Sequence, residues 1–304
     1  GLPRLPAARA AWNEAAAAPG EAAAVNPQLQ AAGDESASYH PIPDMDVEDM
    51  RRLFAEQEWR PDMLKIYPTL VVMEGETPLK AWWKKGKFQA LDTAAAKDVV
   101  VRSFPFIPEY CRIQRIDRDI PTTHVEAGVM NSNLRQMAEE EADRKGIDVR
   151  EIRRREVSRR IRDGVNVDPA RLTLVRRDYQ ASNGLETFLS FEDPEADAIV
   201  GFIRLRRVGP NPHRPEFQHE NGTAVVRELK VYGVAQAIGE HDDAAWQHQG
   251  LGKRLLEAAE AVASGWGVGR ILVIAGVGVK QYYRNQGYQD LGPYVAKEPK
   301  EANA

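Results

Sequence analysis

The sequence predicts an α/β protein whose C-terminal part is organised around an anion-binding loop. Three observations carry this. Val225-Val226-Arg227-Glu228-Leu229-Lys230-Val231-Tyr232-Gly233 alternates apolar and polar residues as a strand does. The stretch Gln247-His248-Gln249-Gly250-Leu251-Gly252 reads Gln-x-x-Gly-x-Gly and runs straight into an amphipathic helix. Glycines at a helix start let a ligand approach exposed backbone N–H groups, which makes a cradle for a pyrophosphate. Arg270-Ile271-Leu272-Val273-Ile274-Ala275 is a short apolar run suited to a buried strand. A plain glycine turn before a core helix is the alternative reading of the loop.

The other elements follow in chain order. Residues 1–38 are rich in Ala with scattered Pro and Gly, and read as weak helix and linker or as the remnant of a missing domain. Gly1 is not an initiator residue, so the chain is expected to be a processed form or one part of a longer protein. Asp46 to Gln57 reads as a helix capped by Asp46, with Val47, Met50, Leu53 and Phe54 on one face. Leu64 to Val72 reads as a strand, Thr77 to Gly86 as a helix ended by glycine, Asp92 to about Phe104 as a helix, and Cys111 to Ile116 as a strand. Residues 126 to about 168 read as helix, loop and an arginine-rich segment, and no internal repeat is visible.

Composition bounds the function. The 304 residues suffice for two domains with their own cores, and 43% hydrophobic with 28% charged residues is ordinary for a soluble chain. No apolar run reaches the length of a membrane span, and the N-terminus lacks the basic start and apolar core of a signal peptide. A single cysteine, Cys111, excludes a disulfide within the chain and reads as a small buried residue. The net charge of −4 argues against indiscriminate nucleic-acid binding. Cations are nevertheless clustered. One group is Arg150, Arg153, Arg154, Arg155, Arg159, Arg160 and Arg162, a second is Lys84, Lys85 and Lys87, and a third is Arg204, Arg206 and Arg207.

The glycine loop resembles the acyl-CoA loop of GNAT acetyltransferases. Strand, loop, helix, strand and the tyrosine-rich Gly276–Tyr288 segment follow the order of that core. Three blocks resemble, more closely, the catalytic subunit of Elongator. They are Arg227-Glu228-Leu229-x-Val231-Tyr232-Gly233, Gln247-His248-Gln249-Gly250-x-Gly252, and Gly276-Val277-Gly278-x-x-x-Tyr282-Tyr283-Arg284-x-x-Gly287-Tyr288. Upstream, Arg60-Pro61-Asp62-Met63-Leu64-Lys65-Ile66-Tyr67-Pro68-Thr69-Leu70 resembles the family's last barrel strand, and Arg112-Ile113-Gln114-Arg115-Ile116-Asp117-Arg118-Asp119-Ile120-Pro121 another of its blocks. The likeness covers roughly residues 59–295. It implies an α/β fold in which the C-terminal part of a radical-SAM-like barrel precedes a GNAT acetyltransferase-like domain. The expected division is 1–38 linker or remnant, 39–125 partial barrel, 126–171 basic helical linker and 172–304 GNAT-like domain.

The resemblance also implies a reaction. It is formation of a carboxymethyl group on carbon 5 of the wobble uridine of tRNA, with acetyl-CoA as carbon donor and a radical drawn from S-adenosylmethionine. The family's four-iron cluster needs three thiolates, which one cysteine cannot supply. Val149, Glu151 and Arg154 stand where family members can carry zinc-binding thiols, so no zinc is expected. The expected partners are tRNA, acetyl-CoA and other Elongator-type subunits or a second copy. The expected place is the cytoplasm, with no membrane contact.

Site residues follow from the same blocks. Gln247, Gln249, Gly250, Leu251, Gly252, Lys253 and Arg254 are expected around the pyrophosphate, with Leu229, Val231 and Gly278 completing the acetyl-CoA site. Tyr282 and Tyr283 are expected near the thioester, where a phenol donates a proton to a departing thiolate; adjacent positions point them apart, so one belongs to the core. Glu228 is a general base or a structural carboxylate. Lys65 faces the substrate or is a solvated strand lysine, and His248 reads as a packing or capping residue. For tRNA the candidates are Arg115, Arg118, Lys84, Lys85, Arg150, Arg153, Arg154, Arg155, Arg159 and Arg160, with Arg112 extending the track. Arginine makes bidentate phosphate contacts and stacks on bases. The competing reading of the arginine run is a solvated helix balanced by Glu151 and Glu156. Two rival functions remain: a lysine N-acetyltransferase that needs Glu228 as base, and a non-catalytic tRNA-binding module.

Overall fold

Proline opens the first helix. Pro43, with its fixed φ, starts α1 (Pro43–Ala55) three residues before the expected cap, and Asp46 lies inside the first turn with Asp44. The computed structural model describes residues 40–233 and 250–299. Val47 and Phe54 are buried on the predicted face of α1. The expected single strand over 64–72 is two short ones, β1 (Met63–Ile66) and β2 (Val71–Val72). Pro68 has no N–H to give a ladder, and the extended run breaks there. Helix α2 (Pro78–Lys84) is capped by the Thr77 side chain, and α3 (Thr93–Ser103) by Asp92. Strand β3 (Arg112–Ile116) pairs parallel with β1, and β4 (Val125–Ala127) antiparallel with β2.

Helix α4 (Leu134–Arg144) packs on α3 and β3. Two short helices follow, α5 (Ile152–Arg155) and α6 (Val157–Arg162), and Glu156 between them forms a parallel bridge to Ile199. This arginine-rich segment is therefore seated on the next sheet, with Ile152 and Val157 fully buried.

That sheet has seven strands, β5 (Thr173–Ala181), β6 (Gly184–Asp193), β7 (Ala198–Arg207), β8 (Thr223–Val231), β9 (Arg270–Ile274), β10 (Gln289–Leu291) and β11 (Tyr294–Lys297). Their order is β10-β11-β9-β8-β7-β6-β5. Every neighbouring pair is antiparallel except β8 with β9. The crossover joining those two carries α7 (Leu251–Gly265), which packs on β6, β7 and β8 through Leu251, Leu255, Leu256, Ala259 and Ala263. The short α8 (Lys280–Arg284) follows β9. One continuous apolar core runs from Phe54, Val100 and Leu134 through Ile152 and Val157 to Phe188, Phe202 and Leu255.

Cys111 is fully buried, and burial pushes its thiol well above the usual range. No helix among the described residues is long and apolar enough to cross a membrane.

Buried charge ties the arginine segment to the sheet. Arg155 is 1% exposed. Its guanidinium donates to Asp197 at 2.7 Å and to Glu192. Removing one member of such a set leaves uncompensated buried charge. Arg155→Met is expected to lower unfolding free energy by about 3–5 kcal/mol in chemical denaturation. Arg154→Ala, whose main partner Asp143 is exposed, is expected to cost less than about 1 kcal/mol.

Candidate functional site

Strands β8 and β9 pair over only four residues, Thr223–Val226 with Arg270–Val273. β8 then continues through Val231 while β9 ends one residue on, at Ile274. The ladder stops where β8 carries an irregularity. Against β7, Arg204 faces Glu228 and Leu205 faces Val226, so Arg227 is an extra residue on β8. A bulge of this kind bends its strand. The two parallel strands part at this point, and the β9-facing edge of residues 227–231 has no strand partner among the described residues.

The start of α7 lies against this opening. Gly250 takes φ +69° at the N-cap, a left-handed conformation in which a side chain would be strained. The first N–H groups of α7 have no partner within the helix and carry the positive end of its dipole. No acidic residue occupies the first turn. A Cβ added at Gly252 would stand 3.3 Å from the Tyr282 hydroxyl and 3.7 Å from Val231. The helix start, the end of β8 and the tyrosine thus converge on one point. Arg254 lies over the Phe191 ring at 4.5 Å, and Lys253 is exposed beside Glu257 at 3.7 Å.

The two tyrosines divide as adjacency requires. Tyr282 is 37% exposed, whereas Tyr283 is buried and meets it edge-on at 5.1 Å. Tyr283 also packs on Tyr288, whose hydroxyl donates to Glu260 at 2.9 Å. Burial, reinforced by Glu257, raises the Tyr282 phenol above its ordinary value, and burial pushes Tyr283 up to about 12. Both phenols therefore hold their protons at neutral pH. Gly278 sits in an exposed turn with open space around its α-carbon, next to Val277 and Val279. Leu229 and Val231 lie on the unpaired stretch of β8, opposite Ile203 and Gly201. Gln247, His248 and Gln249 lie outside the described residues.

Glu228 is occupied. Its Oε2 accepts from Nε of Arg204 at 3.0 Å. Arg204 is 1% exposed and held between Phe188 and Phe202, 5.0 Å from each ring. The structural alternative for Glu228 accords with this geometry. Lys65 is exposed on β1 opposite Arg115, in a two-stranded sheet and not in the seven-stranded one.

The cationic track needs correction. Arg155 is internal, as described above, and offers no guanidinium to a ligand. Arg159 pairs with the buried Glu139, which also receives Arg135 at 3.0 Å and Arg154 at 3.5 Å. Arg150 is held by Glu109 and Asp197, Arg153 by the Gln114 carbonyl, Arg160 by the Ala196 carbonyl at 3.0 Å, and Arg112 by Glu156 at 2.7 Å. The sequence shows a run of like charges; the fold supplies the carboxylates from distant positions. Arg204 and Arg206 are likewise structural, Arg206 donating to Glu186 at 2.6 Å. Lys84, Lys85 and Arg115 remain exposed, and Arg118 lies over Tyr67 at 5.4 Å.

Glu151 caps α5 and is 1% exposed. Its carboxylate accepts the backbone N–H groups of Ile113 at 2.8 Å, Arg153 at 2.9 Å and Arg154 at 3.0 Å. Val149 is buried and apolar, and Arg154 is paired, so these three positions offer no metal donor set. The chain's single cysteine, buried and protonated, does not fit a four-iron cluster either. Sequence reasoning missed the carboxylate Asp62, which holds Arg227 and Arg204 across about 140–165 residues of chain. No local signal marks so distant a pairing.

Comparison with known proteins accords with this geometry. Residues 61–144 match the Radical_SAM C-terminal domain, and residues 149–288 match the Acetyltransferase (GNAT) family. Elongator complex protein 3 of Danio rerio is 41% identical over 267 residues, covering 85% of this chain and 48% of that protein. This chain is homologous to Elongator complex protein 3. The Homo sapiens protein is 40% identical over 267 residues, with the same coverage. The tRNA uridine(34) acetyltransferase of Methanocaldococcus infernus is 39% identical over 273 residues, 86% of this chain and 50% of that protein. The chain spans about half the length of the curated relatives it matches. A solved structure of the archaeal M. infernus Elp3 with an N-terminal deletion superposes with TM-score 0.78 at 38% identity, covering 86% of this chain and 62% of that one. The fold is thus a radical-SAM C-terminal domain followed by a GNAT domain, as the Elongator-type blocks imply.

Gly252 separates fold from site. Alanine there gains about 1 kcal/mol of helix propensity, yet its methyl group enters the space between Tyr282 and Val231. Gly252→Ala is expected to hold or raise the melting temperature while weakening acetyl-CoA binding at least about tenfold, by calorimetric titration.

Proposed function

We propose that this chain binds acetyl-CoA and tRNA and takes part in acetyl-CoA-dependent modification of carbon 5 of the wobble uridine. The observation that carries the reading is the convergence of three features: the parted β8 and β9, the glycine start of α7, and the Tyr282 hydroxyl beside Gly252. Homology to proteins named tRNA uridine(34) acetyltransferase and Elongator complex protein 3 supports the choice of substrate. The division into 39–125 barrel part, 126–171 basic linker and 172–304 GNAT-like domain belongs to the same proposal.

In this reading the pyrophosphate rests on the free N–H groups at the start of α7, where the helix dipole favours an anion. Lys253 and Arg254 add positive charge, and Gln247 and Gln249 precede the cradle. The pantetheine arm lies in the opening, along the Leu229 and Val231 edge of β8, and Gly278 borders it. Water attacks the acetyl carbonyl, the C–S bond breaks, the departing sulfur takes its proton from the Tyr282 phenol, and the phenolate takes up the proton that the attacking water gives up as acetic acid forms. Tyr283 holds Tyr282 in place from the core. Lys84, Lys85, Arg115, Arg118 and Lys65 form the exposed basic surface offered to tRNA. Arg150, Arg153, Arg154, Arg159 and Arg160, partly exposed and paired within the chain, border that surface. Other Elongator-type subunits or a second copy complete the assembly in the cytoplasm. S-adenosylmethionine and a four-iron cluster belong to the radical chemistry of the family.

A lysine N-acetyltransferase requires a free base, and the engagement of Glu228 by Arg204 disfavours it. The test follows free thiol released from acetyl-CoA with and without tRNA, beside a lysine peptide. The expected result is hydrolysis stimulated by tRNA. Tyr282→Phe is expected to lower that rate by on the order of 100-fold with little change in acetyl-CoA affinity. Peptide acetylation indifferent to tRNA would sink the proposal in favour of a conventional acetyltransferase. Bound tRNA with no turnover and no acetyl-CoA affinity would leave a tRNA-binding module.

A further inference from the structure

Asp62 immediately precedes β1, the strand that carries Lys65, yet its carboxylate belongs to the other sheet. Both of its oxygens receive the Arg227 guanidinium, one at 2.9 Å, and Arg204 approaches at 3.3 Å. Arg227 is the extra residue of the β8 bulge, at the point where β8 leaves β9. Its fork also takes Glu186 of β6, at 2.8 Å and 3.1 Å. The Asp62 carbonyl accepts the N–H of Arg112 at 2.9 Å, the entry to β3. Two residues upstream, Arg60 adopts φ 53° and donates to the carbonyls of Phe54, Ala55 and Gln180, the last on β5. The segment entering β1 is therefore clamped from both ends, and it cannot shift without pulling on the bulge.

The charges make this link stiff. Arg204 is buried between two rings and also bonded to Glu228, three residues before the end of β8. Arg227, Arg204 and Glu228 all lie within or against the stretch whose departure from β9 creates the opening. A bidentate arginine–carboxylate pair fixes direction as well as distance. Glu186 could hold Arg227 within the seven-stranded sheet by itself. Asp62 adds a tether to the barrel part that the sheet does not need for its own closure.

We infer that Asp62 is a positioning residue that couples the opening between β8 and β9 to strand β1, so that acetyl-CoA binding responds to what the barrel part contacts. The inference rests on the acetyl-CoA and tRNA reading given above. It names a residue that touches neither substrate and acts through Arg227.

The experiment compares Asp62→Asn with Glu186→Gln in the full 304-residue chain. Acetyl-CoA affinity is measured by calorimetry, and thiol release with and without tRNA. Each variant removes one carboxylate from Arg227, but only Asp62 reaches β1. Asp62→Asn is expected to weaken acetyl-CoA binding on the order of tenfold and to bring the tRNA stimulation close to unity. Glu186→Gln is expected to retain the wild-type ratio of rates with and without tRNA, and Asp62→Glu to restore part of that ratio. Equal ratios in Asp62→Asn and wild type overturn the inference. So do losses in Asp62→Asn and Glu186→Gln that match in every readout, because they reduce Asp62 to a stabilising contact. Should Asp62→Asn fail to fold, Arg227→Lys, which keeps the charge and loses the fork, takes its place. Wild-type chain that binds no acetyl-CoA fails the functional proposal first, an outcome distinct from a wild-type response that Asp62→Asn leaves intact.

Discussion

Two parallel strands that pair for four residues and then separate govern the rest of this molecule. Backbone donors and acceptors left unpaired inside a protein are costly, so an edge such as residues 227–231 persists only where water or a ligand meets it. An amide-bearing arm laid along that edge would take the place of a missing strand. The same parting gives α7 somewhere to begin. Gly250 turns the chain into the helix in a conformation closed to ordinary side chains, and Gly252 leaves room for the Tyr282 hydroxyl. Bulge, helix start and tyrosine are separate pieces of sequence that one break in a ladder brings together.

The second constraint is charge taken out of water. Arg155, Arg204, Glu151 and Asp193 are almost fully buried, and each is held by partners far along the chain, with only Nη1 of Arg155 left without one. The Arg171 fork holds the Asp193 carboxyl near a pKa of about 2, below the usual carboxylate range. Its contribution to stability is thus full above pH about 4 and fades as pH falls toward 2. Such networks add little net stability over apolar packing, but breaking one is expensive. That asymmetry specifies orientation. The arginine segment sits on β7 in the one arrangement where Glu192, Asp197, Glu139 and Glu109 are all answered.

Periodicity and motif made most elements legible: the alternation over 225–233, the apolar run at 270–275 and the helices expected from Thr77 and from Asp92 correspond to strands and helices within a residue or two. The misses have local causes. Asp46 resembled a cap, but Pro43 begins a helix by itself. Pro68 split what looked like one strand. At the site, the glycine loop and the tyrosine pair were readable because their chemistry lies in consecutive residues. The fate of the arginines was not, because a surface cation and a buried one have the same local sequence. Only partners dozens of residues away decide which is which, and Asp62 stayed invisible for that reason.

The state of Glu228 bears most directly on chemistry. To act as a base toward an amine it would have to release Arg204, leaving a buried guanidinium between Phe188 and Phe202 with Asp62 alone, at 3.3 Å, as its carboxylate. Breaking a buried pair in this way has a cost that the proton transfer would have to offset. In the proposed hydrolysis, a phenol kept protonated by burial, placed 3.3 Å from where a Gly252 side chain would begin, gives its proton to the departing sulfur and regains one from the attacking water. The pairing of Glu228 with Arg204 therefore supports the proposed release of the acetyl unit to water rather than its transfer to an amine.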